Sequence, residues 1–197
     1  MLSRVGLFII LIGLASFMGC GKTSEPSPYD FDLPNHITSF NQPEYNVATV
    51  EGVALGKRLF YDPILSGNNS VSCATCHLPE LSFSDGKAQR ISELTGNRIL
   101  RSAPPLHNVA FVDSLFWDGG APSLEFLNAG PITHLDEMGQ NLMELNNELN
   151  AHSEYPVLFA EAFGTEKIEF SHVSNALAQF MRSLNTFNSK YDLVKNG

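Results

Sequence analysis

Ser72-Cys73-Ala74-Thr75-Cys76-His77 is the segment of the sequence that decides the fold. In a C-x-x-C-H segment the two thiols form thioethers with a haem, and the adjacent histidine reaches the haem iron. A zinc site would need a fourth ligand, and the only other cysteine, Cys20, lies in a segment of a different kind. A redox-active disulfide is expected in a thioredoxin-like context of strand and helix, which these flanks do not show. The segment therefore predicts one covalent haem c, with His77 as an iron ligand.

The N-terminus has the pattern of an export signal. Arg4 is followed by an uncharged apolar run from Val5 to Phe17, which is too short to span a bilayer as a stable helix. Cys20 follows a small residue and precedes a polar stretch, as at the cleavage site of bacterial lipoproteins. An incidental cysteine in an ordinary signal peptide is the alternative. We predict a lipoprotein-type signal peptide over residues 1–19, a periplasmic location, and membrane attachment only through lipid on Cys20.

The charge of the chain limits its partners. Twelve basic and 21 acidic side chains give a formal net charge of −9, and haem propionates would add to it. We therefore expect no nucleic-acid partner, and a basic electron donor is the natural electrostatic complement. After a flexible tether and N-terminal extension over residues 20–45, the length of residues 46–197 is that of one domain.

The remaining sequence predicts short helices joined by long loops. Apolar residues at spacings of three and four mark a helix from Val173 to Phe187, with Ser171 available as its cap. Further helices are expected over Glu51–Tyr61 and from Asn141. No run of alternating β-branched residues predicts a sheet. The expected fold is mainly α, a cytochrome c-like helical domain whose long loops enclose the haem.

Several short segments, some before His77 and some after it, occur in a characteristic order along the chain. The segments are Leu55-Gly56-Lys57-Arg58-Leu59-Phe60-Tyr61-Asp62-Pro63, Leu65-Ser66-Gly67, the haem motif, Phe83-Ser84-Asp85-Gly86, Arg101-Ser102-Ala103-Pro104-Pro105 to Asn108, Phe116-Trp117-Asp118-Gly119, and Gly130-Pro131 to Glu137-Met138. Each string alone is weak evidence, whereas the ordered series is highly specific. From about Gly52 to its C-terminus the chain resembles the N-terminal haem domain of bacterial di-haem cytochrome c peroxidases, including their MauG-like relatives.

The resemblance implies a peroxidatic haem domain in which His77 is the proximal ligand and hydrogen peroxide binds on the opposite face of the haem. It assigns distal acid–base work to Glu137, because cleavage of the O–O bond needs a group that moves a proton between the two oxygens. Without the resemblance, Glu137 would be interpreted as a solvated carboxylate beside Asp136. Pro131 is expected to shape the distal wall, and a turn proline is its alternative interpretation.

Two further residues receive roles from the resemblance. Trp117 corresponds to the tryptophan between the two haems of the family, which is proposed to assist electron transfer. A core or interface anchor is the alternative for a lone tryptophan. Arg101 is expected to contact a haem propionate, and a surface salt bridge is the alternative.

The chain departs from the family pattern at several positions. Residues 78–101 contain no histidine, so the histidine that caps the resting iron in many of these peroxidases is absent, which implies an open or water-bound distal site of the MauG-like type. The distal glutamine falls at Leu127, and a calcium-ligand asparagine falls at Ser102, which makes calcium doubtful. His107 is expected to be a structural histidine more often than a ligand, and His134 is placed to share a proton network with Glu137.

Family members continue into a second haem domain that accepts electrons, whereas this sequence ends at Asn196-Gly197. The expected partners are hydrogen peroxide, a small donor protein of the cytochrome c or cupredoxin type, and a second haem domain or subunit. A fragment, a truncated product and a half with a separate partner stay open, as does MauG-like oxidation of a protein. The alternative function is a mono-haem class I-type electron-transfer cytochrome, in which Met138 is the sixth ligand at a suitable distance along the chain from His77.

Overall fold

The structure, a computed structural model, describes residues 25–37, 40 and 42–196 of the 197-residue chain. The predicted signal peptide over residues 1–19 and the predicted lipid attachment at Cys20 lie outside the described residues. Among the residues inside those ranges, none belongs to a helix that is both long enough and apolar enough to cross a membrane.

The described chain folds mainly into α-helices, as predicted. The helices are α1 (Val50–Tyr61), α2 (Cys73–Cys76), α3 (Leu124–Leu127), α4 (Ala129–Thr133), α5 (Leu142–Ala151), α6 (Tyr155–Phe163), α7 (Phe170–Arg182) and α8 (Lys190–Asn196). Single 3-10 turns lie at Glu44–Asn46, Pro63–Leu65, Pro79–Leu81 and Val109–Phe111. Long irregular segments join these elements, and most of them lie between α2 and α3.

Helices α1 and α7 form the most extensive helix pair of the domain. Leu59 and Phe60 of α1 and Leu177 of α7 belong to one buried apolar cluster, in which the ring of Phe60 packs against that of Phe180 with centroids 5.2 Å apart. A Cβ on Gly56 would lie 1.9 Å from the backbone oxygen of Ala176, so only glycine permits so close a crossing. Burial of each large apolar side chain contributes about 1.5–3 kcal/mol, which makes this crossing the main scaffold for the loops.

The helix starts agree with the sequence predictions at α5 and differ at α7. The sequence predicts a helix that starts near Asn141, and the Oδ1 atom of Asn141 caps α5 by accepting hydrogen bonds from the backbone of Met143 at 2.9 Å and of Glu144 at 3.2 Å. The prediction of Ser171 as the cap of α7 is wrong, because Glu169 is the N-cap and Ser171 lies inside the first turn. The backbone N–H of Glu169 donates to His172 Nδ1 at 3.2 Å, which satisfies that end of the helix.

An antiparallel hairpin of two-residue strands, β1 (Arg90–Ile91) and β2 (Arg98–Ile99), was not predicted. Strands this short carry too few residues for an alternating pattern to be visible in the sequence. The loop of the hairpin is held from outside: Thr95 Oγ1 and Asn97 Nδ2 donate to Asp136 Oδ1 at 2.6 and 2.9 Å. The hairpin is thereby joined to the turn that follows α4.

Part of the predicted tether contacts the domain. The backbone N–H of Tyr29 donates to the carbonyl of Ala48 at 3.0 Å, and that of Val50 donates to the carbonyl of Ser27 at 2.8 Å. His36 Nε2 lies 3.2 Å from Asp192 Oδ1 of α8. The described part of the N-terminal extension therefore lies between the start of α1 and the last helix.

Candidate haem site

A largely apolar cavity of about 720 Å³, part of it open to solvent, lies beside α2, the hairpin and the turn after α4. Cys73, Cys76 and His77 line it together. The other lining residues are Phe60, Val71, Ser72, Thr75, Arg90, Glu93, Ile99, Leu106, Leu127, Pro131, Ile132, Asp136, Glu137, Met138 and Met181. The tertiary fold therefore brings the haem motif and the run around Glu137 to one cavity.

The two cysteines occupy the first and last positions of the single-turn helix α2. The backbone N–H of Ser72 donates to Thr75 Oγ1 at 3.0 Å, which stabilises the turn at its start. Residues three apart on a helix lie on the same face, so both thiols are directed to the same side. Both are free thiols, and burial raises the pKa of Cys73 to about 12. Burial raises the pKa of Cys76 as well, so both thiols are protonated at neutral pH.

His77 is held in one tautomer by the loop that follows it. Its Nδ1 lies 2.6 Å from the carbonyl oxygen of Phe83, and because a carbonyl only accepts, Nδ1 carries the proton. Ser82 and Phe83 both adopt left-handed backbone conformations, which return the chain so that this carbonyl meets the ring. Burial lowers the pKa of His77, against the opposing effect of the carbonyl. The ring is therefore neutral near pH 7, and its remaining lone pair on Nε2 is suited to an iron ion.

These groups fit a covalently attached haem. Two free thiols on one helical turn, a neutral imidazole and an apolar wall are the donors and surroundings that haem c requires. Cys73 and Cys76 would hold the porphyrin, and His77 would ligate its iron. Across the ranges that the structure covers, no group of three or more His, Cys, Asp or Glu side chains is arranged to hold a metal ion by itself.

Glu137 lies on the cavity wall in the turn after α4. Its backbone N–H donates to the carbonyl of His134 at 2.9 Å, and the side chain of Glu137 is 37% exposed. Burial raises the pKa of Glu137; His134 opposes this effect and the Asp136 carboxylate adds to it. His134 Nδ1 lies 3.9 Å from Glu137 Oε1, so the predicted pairing of these two side chains is within reach of a small movement.

The other predicted site residues fall into two groups, those that line the cavity with Glu137 and those that do not. Pro131 and Leu127 line the cavity, and so does Met138, which is buried at 5% exposure. Arg101 and Trp117 belong to the second group, since neither lines the cavity.

Trp117 and Arg101 lie together on the surface. Trp117 is 61% exposed, and its Nε1 donates to the carbonyl of Ser102 at 2.9 Å. Arg101 Nη1 lies 2.6 Å from Asp118 Oδ2 in an exposed ion pair. The pair lowers the pKa of Asp118 through the Arg101 hydrogen bond. Arg101 thus has a carboxylate partner on the protein, which is the alternative that its sequence context left open.

The structure adds charged residues that the sequence analysis did not select. Arg90 and Glu93 line the cavity from the hairpin and form an ion pair there. Asp85 is buried, and its Oδ2 has no hydrogen-bond partner among the described residues. His107 packs edge-on against the ring of Phe83, with centroids 5.3 Å apart, and does not line the cavity. Arg90 lies in a strand of only two residues, which shows no period in the sequence, so its inward position could not be predicted.

Comparison with known proteins gives the same assignment. The family model described as di-haem cytochrome c peroxidase matches residues 50–197. The methylamine utilization protein MauG of Methylorubrum extorquens is 43% identical over 155 residues, which are 78% of this chain and 44% of that protein. The cytochrome c551 peroxidase of Nitrosomonas europaea is 32% identical over 141 residues, 70% of this chain and 41% of that protein. The chain thus spans less than half the length of these curated relatives.

Solved structures share the fold. The crystal structure of a MauG-like protein associated with microbial copper homeostasis superimposes with a TM-score of 0.79 at 34% identity, over 86% of this chain and 50% of that one. The diheme peroxidase BthA from Burkholderia thailandensis has a TM-score of 0.63 at 24% identity, over 84% of this chain and 44% of that one, and shows the fold alone. The cytochrome c-like fold is therefore confirmed. With the haem motif, the cavity and the matched length in agreement, the chain belongs to the di-haem cytochrome c peroxidase family.

Proposed function

We propose that this chain is the peroxidatic haem domain of a cytochrome c peroxidase and reduces hydrogen peroxide with electrons from a small redox protein. The observation that carries the proposal is the shared cavity, in which a half-buried glutamate faces the same space as the haem-binding thiols and imidazole. Glu137 has the chemistry for proton transfer because it is a carboxyl group on the cavity wall whose pKa is raised by burial, which makes it a better proton acceptor.

Reduction of one hydrogen peroxide to two waters consumes two electrons and two protons. The haem, when bound, supplies the redox chemistry that breaks the O–O bond. Glu137 accepts a proton from one peroxide oxygen and delivers it to the other, which leaves as water. Pro131, Leu127 and Ile132 contribute apolar surface to the cavity that this carboxylate also lines. His77 keeps its proton on Nδ1 through the Phe83 carbonyl, so its Nε2 would be the atom that ligates the iron of a bound haem.

We assign the domain to the periplasm, held at the membrane through lipid on Cys20, because the leader pattern and the haem motif belong to exported proteins. Electrons are supplied by a small donor of the cytochrome c or cupredoxin type through a second haem domain. The exposed ring of Trp117 is proposed as the contact through which they enter.

The electron-transfer cytochrome with Met138 as sixth ligand is the rival function. Met138 and Glu137 are adjacent and both line the cavity, so either side chain would face a haem bound there. Burial of Met138 among core residues is the ordinary situation of a methionine, and the named relatives include peroxidases. We therefore favour Glu137 as the functional residue.

The test compares Glu137→Gln with wild type in the haem-loaded full chain. We expect covalent haem content to be unchanged and peroxide turnover to fall about a hundredfold, because the amide cannot accept the proton. Glu144→Gln is the matched control, since this exposed carboxylate on α5 does not line the cavity, and it should retain wild-type turnover.

The same samples separate the two functions. Wild-type turnover by Glu137→Gln would remove Glu137 from the mechanism. A low-spin spectrum with the absorption band of methionine-ligated iron, unaltered by peroxide in the wild type, would identify an electron carrier and contradict the proposed peroxidase. A high-spin ferric spectrum that peroxide alters would support an open site.

A further inference from the structure

Arg90 is a buried cation on the wall of the haem cavity. Its side chain is 9% exposed, and it pairs with Glu93, whose side chain is 52% exposed. In the described part of the chain, Glu93 is the one residue that its guanidinium binds. A guanidinium has five N–H donors, and a single half-exposed carboxylate leaves much of this capacity unused. Burial of such a group is costly unless further acceptors are present.

The hairpin directs Arg90 to the cavity. Arg90 pairs with Ile99 across the two strands, and both residues line the cavity. Ile91 and Arg98 form the next pair, and both are exposed. Because neighbouring residues of a strand point to opposite faces, one face of the hairpin forms the cavity wall and the other faces solvent.

The charges on the cavity wall are otherwise negative. Glu93, Asp136 and Glu137 line it, and Arg90 is the only lysine or arginine among the described lining residues. A haem adds two propionate carboxylates to this acidic wall, and a buried arginine is the residue type that pairs with carboxylates in two-point contacts.

We propose that Arg90 binds a propionate of the haem and that its charge raises the reduction potential of the iron. Glu93 holds the guanidinium from the solvent side and orients it. Arg101, the residue that the family resemblance selected for this contact, pairs with Asp118 at the surface. This role requires only that haem is attached to the domain, and it does not depend on whether the domain reduces peroxide.

The test measures the midpoint potential of the haem-loaded full chain by spectroelectrochemistry. Arg90→Gln should lower the potential by at least the equivalent of a tenfold change in the reduction equilibrium, about 59 mV for one electron, because a positive charge beside the haem favours the reduced form. Arg98→Gln is the matched control, since it removes the same charge from the outer face of the same hairpin. Arg101→Gln tests the competing assignment. Both should leave the potential within a small fraction of that shift.

The same substitution in a Glu93→Gln chain distinguishes an arginine that binds the haem propionate from one that only forms an ion pair with Glu93. If Arg90 only neutralises Glu93, then Arg90→Gln has no effect on the potential in a Glu93→Gln chain, and that result would overturn the proposal. Persistence of the shift in this background supports it. A shift in Arg101→Gln as large as in Arg90→Gln, or equal shifts in Arg90→Gln and Arg98→Gln, also overturn it. If Arg90→Gln does not load haem, Arg90→Lys replaces it, with Arg98→Lys as the control. A potential that is lower only in Arg90→Lys supports a two-point contact. Equal potentials in the two variants contradict it.

Discussion

A buried ion pair connects helix α3, which contributes to the cavity wall, to the helical core. Arg182 of α7 binds Glu125 of α3 through two hydrogen bonds of 2.6 and 3.0 Å, and their side chains are 3% and 8% exposed. Asn46 donates to the same carboxylate at 2.7 Å. Burial alone would raise the pKa of Glu125, but the hydrogen bonds from Arg182 and Asn46 outweigh it and lower the pKa. The pair therefore holds α3, which carries Leu127 on the cavity wall, against the central helices.

The Glu125→Gln variant should lose about 3 kcal/mol of stability at pH 7, because Arg182 then stays buried without its carboxylate. The pKa of Glu125 is lowered in the fold, so its stabilisation is complete above the ordinary value of 4.5 and is lost as the pH falls through the lowered pKa. Melting temperatures across acidic pH measure this: the variant should lose less stability on acidification than wild type. The control is Glu144→Gln, which should follow the wild-type profile, and a variant profile parallel to wild type would contradict the prediction.

At the scale of the elements, the hairpin and the turn after α4 both contribute to the cavity wall, and hydrogen bonds join them to each other. Asp136 accepts hydrogen bonds from Thr95 and Asn97 of the hairpin loop, and these bonds lower the pKa of Asp136. Ser92 Oγ accepts from the backbone of Leu94 at 3.2 Å and of Thr95 at 3.1 Å, which makes the loop rigid before it reaches Asp136. The bonds to Asp136 join the face that carries Arg90 to the turn that carries Glu137.

Removal of the Asp136 carboxylate should weaken the contact between the hairpin loop and the turn after α4. In Asp136→Ala we expect amide hydrogen exchange in residues 92–97 to become several-fold faster, while exchange in α7 stays at its wild-type rate. Asp113→Ala is the control, because Asp113 is an exposed carboxylate in another loop and should leave residues 92–97 protected. Equal protection of residues 92–97 in wild type and Asp136→Ala would show that other contacts hold the hairpin.

For the whole molecule, the excess of acidic side chains determines which donors approach productively. The formal net charge of −9 produces a long-range field that attracts basic proteins and repels acidic ones. At low salt this field extends about 30 Å, and at physiological salt about 8 Å. The proposed donor should therefore be a basic protein whose encounter depends on ionic strength.

Electron transfer from a basic cytochrome c to the haem-loaded chain should slow about tenfold between low and physiological salt, because screening removes the attraction. Stopped-flow reduction at several salt concentrations measures the rate. An acidic cupredoxin is the control, and its rate should stay constant or rise with salt. Equal salt dependence for both donors would show that the net charge does not guide the encounter.

The local parts of the fold could be predicted because their determinants are neighbours in the chain. Spacings of three and four residues located α1, α5 and α7, although α7 begins at Phe170 and ends at Arg182, before the predicted Phe187. The cap of α7 was assigned two residues late, since both Glu169 and Ser171 have acceptor side chains and only the backbone path chooses between them. The hairpin was missed because two residues a strand are too few to show a period.

The sequence by itself determined the family, because the family segments follow a fixed order, and it predicts haem attachment at Cys73, Cys76 and His77, which are close neighbours in the chain. Only the tertiary structure decided which distant charges face that site. It placed Arg90 on the cavity wall and Arg101 on the surface, although both are arginines of the same long loop region. The physical reason is that burial of a charge depends on contacts across long stretches of chain, which no local spacing encodes.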